Sequence, residues 1–280
     1  MANSKIAILG GKGMLGSDLA LASQQHQLDA TVLDLPEFDI TNEKHLSDAL
    51  KGVDAVVNCA AYTNVEKAES ETKLAYKVNA DAVGKLALAA EKADVWVLHI
   101  GTDFVFDGVS DKPYTETDTP NPINAYGASK LAGEKLLIES RCRHCIMRVE
   151  WTYGSAGNNF VAKMVKLAKA GKSLKVVDDQ IGSPTATTEV AGAICKLLQK
   201  KPQGLFHFAS AGYVSRFEMA KFIFDKLNMS VDLNSCKTAD FPAAAKRPLN
   251  SCFDCGKISA LLDEPIEPWQ VSLERFLETL

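Results

Sequence analysis

Tyr126 and Lys130 lie four residues apart, a spacing that sets a phenol and an ammonium one turn apart on the same side of a helix. Upstream, Thr102 stands in Gly101-Thr102-Asp103-Phe104-Val105-Phe106-Asp107-Gly108, where an apolar run ends and a loop begins. A hydroxyl, a phenol and an ammonium brought together can protonate a carbonyl oxygen while a hydride reaches its carbon. A free tyrosine titrates at about 10, and a nearby positive charge favours its phenolate. The expectation is Tyr126 as general acid, Lys130 as its tuner and Thr102 as the group that orients the carbonyl. The plainer alternative makes Tyr126 a packed helix-start aromatic under the loop from Pro113 to Pro122, and Lys130 a solvated charge.

A hydride needs a donor, and the chain offers a place for one. Lys5-Ile6-Ala7-Ile8-Leu9 reads as a strand, and Gly10-Gly11-Lys12-Gly13-Met14-Leu15-Gly16 follows it. Glycines at 10, 13 and 16 permit a tight turn and let the backbone approach a pyrophosphate at a helix N-terminus. Asp34, about twenty residues on, stands where a carboxylate meets the ribose 2′-hydroxyl of a dinucleotide. It is equally placed as a strand-end turn residue. Its charge favours NADH over NADPH, and Lys12 offsets it. Lys130 can then also bond the nicotinamide ribose, which positions the ring.

These residues need a scaffold. Apolar runs at 5–9, 30–34, 54–58, 95–100 and 145–149 suit a parallel sheet covered on both faces. Helical spacing is read over 75–92 and 125–140, and a helix starts at Thr41 or Asn42. This alternation predicts an α/β, Rossmann-like doubly wound sheet over residues 1–150, with later segments adding to it. Residues 151–280 form a smaller mixed α/β part that mainly binds substrate. It contains helices over 159–170, from the capping box Ser215-Arg216-Phe217-Glu218 to 227, and from Trp269 to the end, with a loop over 241–248. A ligand cleft is expected between the two parts.

The 280 residues, 46% hydrophobic and 24% charged, are those of a globular protein, and the net charge of −4 argues against a general nucleic-acid surface. No apolar run spans a bilayer, and Met1 to Lys5 leads directly into a strand with no signal segment, so a cytoplasmic enzyme is expected. Seven scattered cysteines suit reduced thiols. Cys142/Cys145 and Cys252/Cys255 form two Cys-x-x-Cys pairs, but Cys145 opens an apolar strand and the pairs are far apart, so no zinc site is expected. Glu66, Glu69 and Glu71 read as first-turn helix residues. Trp151 follows the fifth strand, where an indole can meet a sugar face or pack in the core. Arg247, beside Lys246, can meet a diphosphate or form a surface charge pair. Asn159 can bond a nucleotide or cap its helix.

Taken in order, Asn58 to Glu69, Thr102 to Gly108, Tyr126-x-x-x-Lys130, Asn159-Phe160-Val161, Asp179 to Thr185 and Arg247 to Ser251 resemble the dTDP-4-dehydrorhamnose reductases, within the extended short-chain dehydrogenases. The resemblance implies NADH or NADPH as cofactor and reduction of the C4 ketone of dTDP-4-dehydro-β-L-rhamnose to dTDP-β-L-rhamnose, for cell-surface polysaccharides. It implies cofactor contacts at Gly10, Gly13, Met14, Leu15, Gly16, Asp34, Asp39, Ile40, Ala61, Tyr62, Thr63, Tyr126 and Lys130. Thr102, Tyr126 and Lys130 become the catalytic group, and Asp103 and Trp151 touch the sugar. Thr102, Asp103, Phe104, Trp151, Asn159 and Arg247 make the expected substrate set. No nucleic acid, membrane or metal is expected, and the state is monomer or homodimer. Another 4-keto-sugar reductase, an epimerase, or a non-catalytic subunit like that of methionine adenosyltransferase are the competing readings. Three positions depart from the family. Gly101 replaces the usual Ser, and Phe104 the usual Tyr, which removes a hydrogen bond worth about 0.5–1.5 kcal/mol. Glu150 is unusual and has no account at the level of sequence.

Overall fold

The computed structural model describes Ser4–Leu280, and Met1 to Asn3, with the expected chain start, lie outside it. Five of the six sheet strands fall where the apolar runs predict: β1 (Lys5–Leu9), β2 (Asp29–Leu33), β3 (Ala55–Asn58), β4 (Trp96–Thr102) and β5 (His144–Val149). The sixth is Gly204–Phe208, and the order is Gly204–Phe208, β5, β4, β3, β1, β2, with all pairs parallel.

Residues of one strand alternate between two cores. Ile6 and Ile8 pack with Leu19, Trp96, Leu98 and Met147 on one face. Ala7 and Leu9 pack with Val56, Leu86, Val97 and Ile146 on the other. Burying each such aliphatic side chain contributes about 1.5–3 kcal/mol, which is why these strands read as continuous apolar runs. The first face is closed by the helix Thr187–Lys200, through Val190, Ile194 and Leu198. The sequence reading passed over this helix. Its N-cap is Ala186, which offers no side-chain hydrogen bond, so the usual start signal is missing.

The helix expected over 75–92 is three pieces in one run: Thr72–Tyr76, a π-turn at Lys77–Asp81, and Ala82–Ala93. Ala125–Glu139 is one helix, capped by Asn124, whose Oδ1 accepts from Gly127 N at 2.8 Å. The later helices are Phe160–Lys169, Arg216–Lys226 and Trp269–Leu277. Val161, Val165, Ile223, Phe224, Trp269 and Leu273 make a separate core.

Candidate active site

In an open parallel sheet, ligands bind outside the carboxyl ends of the strands where the order reverses, here between β1 and β3. A cavity of about 640 Å³ opens there. It is lined by the glycine loop, by Cys59 to Ala61 and Thr63 after β3, and by Ile100 to Phe104 at the end of β4. Tyr126 and Lys130 line it from the helix, and Trp151 and Arg216 from the later half.

The three expected catalytic residues therefore share one cavity. Burial pushes the Tyr126 phenol up to about 12, and the Thr102 hydroxyl beside it pulls the other way. The Lys130 Nζ donates to the Ile100 carbonyl at 2.6 Å and meets His99 Nε2 at 3.3 Å. Burial brings Lys130 down to about 8, opposed by the Glu134 carboxylate, so it stays charged at neutral pH. Thr102 Oγ1 donates to Asp103 Oδ1 at 3.1 Å and accepts from Phe104 N at 3.3 Å.

At the glycine loop, Gly10 has φ +73°, and a Cβ there would lie 2.6 Å from the Ala60 nitrogen. A Cβ at Gly16 would lie 2.3 Å from the Gly10 carbonyl. Only glycine leaves this cradle open, and the residues fit the pyrophosphate of a dinucleotide. Gly10, Gly13, Met14, Leu15, Asp34, Asp39, Ile40, Ala61 and Thr63 all line the cavity. Gly16 and Tyr62 are not in the lining: Gly16 lets the helix close on the loop, and the Tyr62 hydroxyl donates to Glu71 at 2.7 Å. The Asp34 carboxylate braces the loop, accepting from Lys12 N and Leu35 N, each at 2.7 Å. Asp39 accepts from Thr41 N at 2.8 Å, and its carboxyl is held below the usual range by that bond.

On the opposite side, Asp103 is buried and accepts from Ser251 Oγ at 2.6 Å. Phe104 packs edge-on against Tyr126, with ring centroids 5.5 Å apart. Trp151 has φ +45°, in the left-handed region that non-glycine residues rarely adopt. A Cβ on Gly182 would lie 2.6 Å from its indole Cε2. Over the ring, the Arg216 guanidinium carbon sits 3.4 Å from the centroid, so this indole face is already covered. Asn159 and Arg247 lie outside the lining. Asn159 caps its helix, accepting from Ala162 N at 3.0 Å, and Arg247 pairs with Glu66 at 2.6 Å.

The structure accounts for two of the three departures. Gly101 faces the buried Arg148–Glu134 ion pair, and a Cβ there would lie 2.5 Å from Glu134 Oε1 and 2.6 Å from Arg148 Cγ. Glu150 is buried and accepts from Ser183 N at 2.9 Å and Phe253 N at 3.2 Å, so it staples two later segments to the end of β5. Burial drives its carboxyl well above the ordinary range, reinforced by Asp103.

Two residues escaped the sequence reading. Arg216 was visible only as part of a capping box; nothing local announces that its side chain reaches the cavity. Asn79, in the π-turn, donates to Ser129 Oγ at 3.0 Å and brackets Tyr62, accepting from its N–H at 2.8 Å and donating to its carbonyl at 3.1 Å. A buried asparagine interrupting an Ala- and Leu-rich helix was the available signal. Among the described residues, no three or more His, Cys, Asp or Glu gather as metal ligands, and no helix is long and apolar enough to cross a membrane.

A glycine-cradled Rossmann sheet carrying Thr102, Tyr126 and Lys130 at its carboxyl edge defines an extended short-chain dehydrogenase/reductase. The family model described as RmlD substrate binding domain matches residues 4–280. A dTDP-4-dehydrorhamnose reductase from Aggregatibacter actinomycetemcomitans is 39% identical, with 97% of each chain covered. One from Salmonella typhimurium is 35% identical, covering 97% of this chain and 96% of that one. The crystal structure of the Bacillus anthracis dTDP-4-dehydrorhamnose reductase in complex with NADP superposes with a TM-score of 0.95, at 36% identity and full coverage of both chains. The chain belongs to the dTDP-4-dehydrorhamnose reductase family, a family of oxidoreductases.

Proposed function

We propose that this protein reduces the C4 ketone of dTDP-4-dehydro-β-L-rhamnose to dTDP-β-L-rhamnose with NADH or NADPH, supplying a donor for cell-surface polysaccharides. The observation that carries the reading is one cavity that joins the glycine cradle to Thr102, Tyr126 and Lys130. The glycine loop and Asp34 hold the dinucleotide, with Asp39, Ile40, Ala61 and Thr63 along its length. A reduced nicotinamide held there would supply the hydride. Tyr126 gives its proton to the C4 oxygen, and a phenol held near 12 arrives at that step protonated. Thr102 fixes the carbonyl oxygen against the phenol. Lys130 holds ribose hydroxyls, and its charge favours the phenolate once the proton has left. Residues 1–150 thus serve the cofactor and 151–280 mainly the sugar nucleotide.

The test mixes the protein with freshly made dTDP-4-dehydro-L-rhamnose and each reduced cofactor, and follows nicotinamide absorbance. Loss of absorbance is expected with at least one cofactor, and no loss with either rejects the reading. A Tyr126→Phe variant should lose on the order of 100-fold or more in kcat. Near-normal turnover in that variant removes Tyr126 as the acid.

A further inference from the structure

Arg216 carries a guanidinium that reaches the cavity. It stacks on Trp151, with Phe160 5.0 Å away, and lines the cavity. The Asp103 carboxylate attracts it through space, but the Asp103 and Glu150 oxygens are engaged elsewhere. Asp103 accepts from Thr102 and Ser251, and Glu150 from the Ser183 and Phe253 amides. Among the described residues the Arg216 side chain has no hydrogen bond and no ion pair, and only stacking fixes it.

Two cations, Lys130 and Arg216, stand in the lining against Asp34, Asp39 and Asp103. The Lys130 amine is held by the Ile100 carbonyl, and Arg247 by Glu66. Among the described lining residues, a ligand bearing two phosphates therefore meets one unengaged cation, Arg216. A guanidinium presents a planar fork that matches phosphate oxygens, and an aromatic platform fixes the plane of that fork. The platform itself is rigid: Trp151 is wedged against Gly182 and held in a left-handed backbone conformation.

We propose that Arg216, seated on Trp151, anchors the diphosphate of the nucleotide-sugar substrate. This rests on the function proposed above and names the residue that reads the charged part of the substrate. Burial lowers the guanidinium to about 9, which leaves it charged at neutral pH. Trp151 then acts through the guanidinium, rather than by offering that covered face to the sugar.

The experiment titrates dTDP and thymidine separately into the full-length protein saturated with NADP, by calorimetry. Arg216→Gln should weaken dTDP binding by roughly tenfold or more, with thymidine binding changed less than twofold. Arg216→Lys should lie between, because it restores a charge without the fork. If Arg216→Gln binds dTDP within twofold of the wild type, or loses thymidine by the same factor, the proposal fails. If Arg216→Gln no longer binds NADP, Arg216→Lys decides: weakened dTDP with unchanged thymidine supports the anchor, and wild-type affinity for dTDP overturns it. The functional reading fails separately, when the wild type neither binds dTDP nor consumes reduced cofactor with the keto-sugar.

Discussion

Gly101 shows how one absent side chain follows from its neighbours. The position lies in β4, one residue before Thr102, and pairs in register with Arg148. The Arg148–Glu134 bridge, at 2.7 Å with both side chains buried, fills the space a Cβ would need. Moving it is costly, because a buried charge parted from its partner loses several kcal/mol. Gly101→Ser should therefore destabilise the protein by about 1–3 kcal/mol, seen as a lower midpoint in urea unfolding. An unchanged midpoint would show that the ion pair yields freely. The glycine thus answers to packing behind the site. Phe104 answers to the site itself, since its ring leans on the Tyr126 phenol. Thr102, Tyr126 and Lys130 could be singled out in the sequence by residue type and spacing, and the structure brings them to one cavity. Arg216 could not, because its place in the cavity depends on stacking over Trp151, an indole remote in the chain.

At the scale of elements, the π-turn Lys77–Asp81 joins two functions. It turns Asn79 inward, where one amide group brackets Tyr62 and bonds Ser129 on the helix that carries Tyr126 and Lys130. Ser129 in turn donates to the Tyr126 carbonyl at 2.7 Å. Asn79→Ala strands the Tyr62 N–H and carbonyl and releases Ser129. An unmade buried hydrogen bond costs about 1–3 kcal/mol. We expect a fall in kcat and a rise in cofactor KM together, while Asn79→Asp, which keeps the acceptor for Tyr62 N, retains more of both. Equal losses in the two variants would count against the bracket. The strands were readable because both faces of a parallel sheet demand apolar residues. The π-turn was not, since its surrounding helical spacing continues through it.

Across the whole molecule, the first 150 residues do not complete their own sheet. Helix Thr187–Lys200 covers one face, and Gly204–Phe208 extends the sheet beside β5. A fragment ending at Glu150 would leave Trp96, Leu98 and Met147 open to water on that face. It should show no cooperative unfolding transition, whereas the full chain should; a sharp transition in the fragment would make the first part autonomous. The sequence suggests a cofactor half over residues 1–150 and a substrate half over 151–280. It could not show that the chain returns to finish the sheet, because the returning strand is short and the helix before it lacks a side-chain cap. Glu150 closes the same circuit from the other direction, holding the Ser183 and Phe253 amides. Between relatives, then, a crossover at 150/151 would separate an acid from the two loops shaped around it. Hybrid enzymes built to exchange sugar preference should carry residue 150 with the later half, whichever parent supplies the sheet.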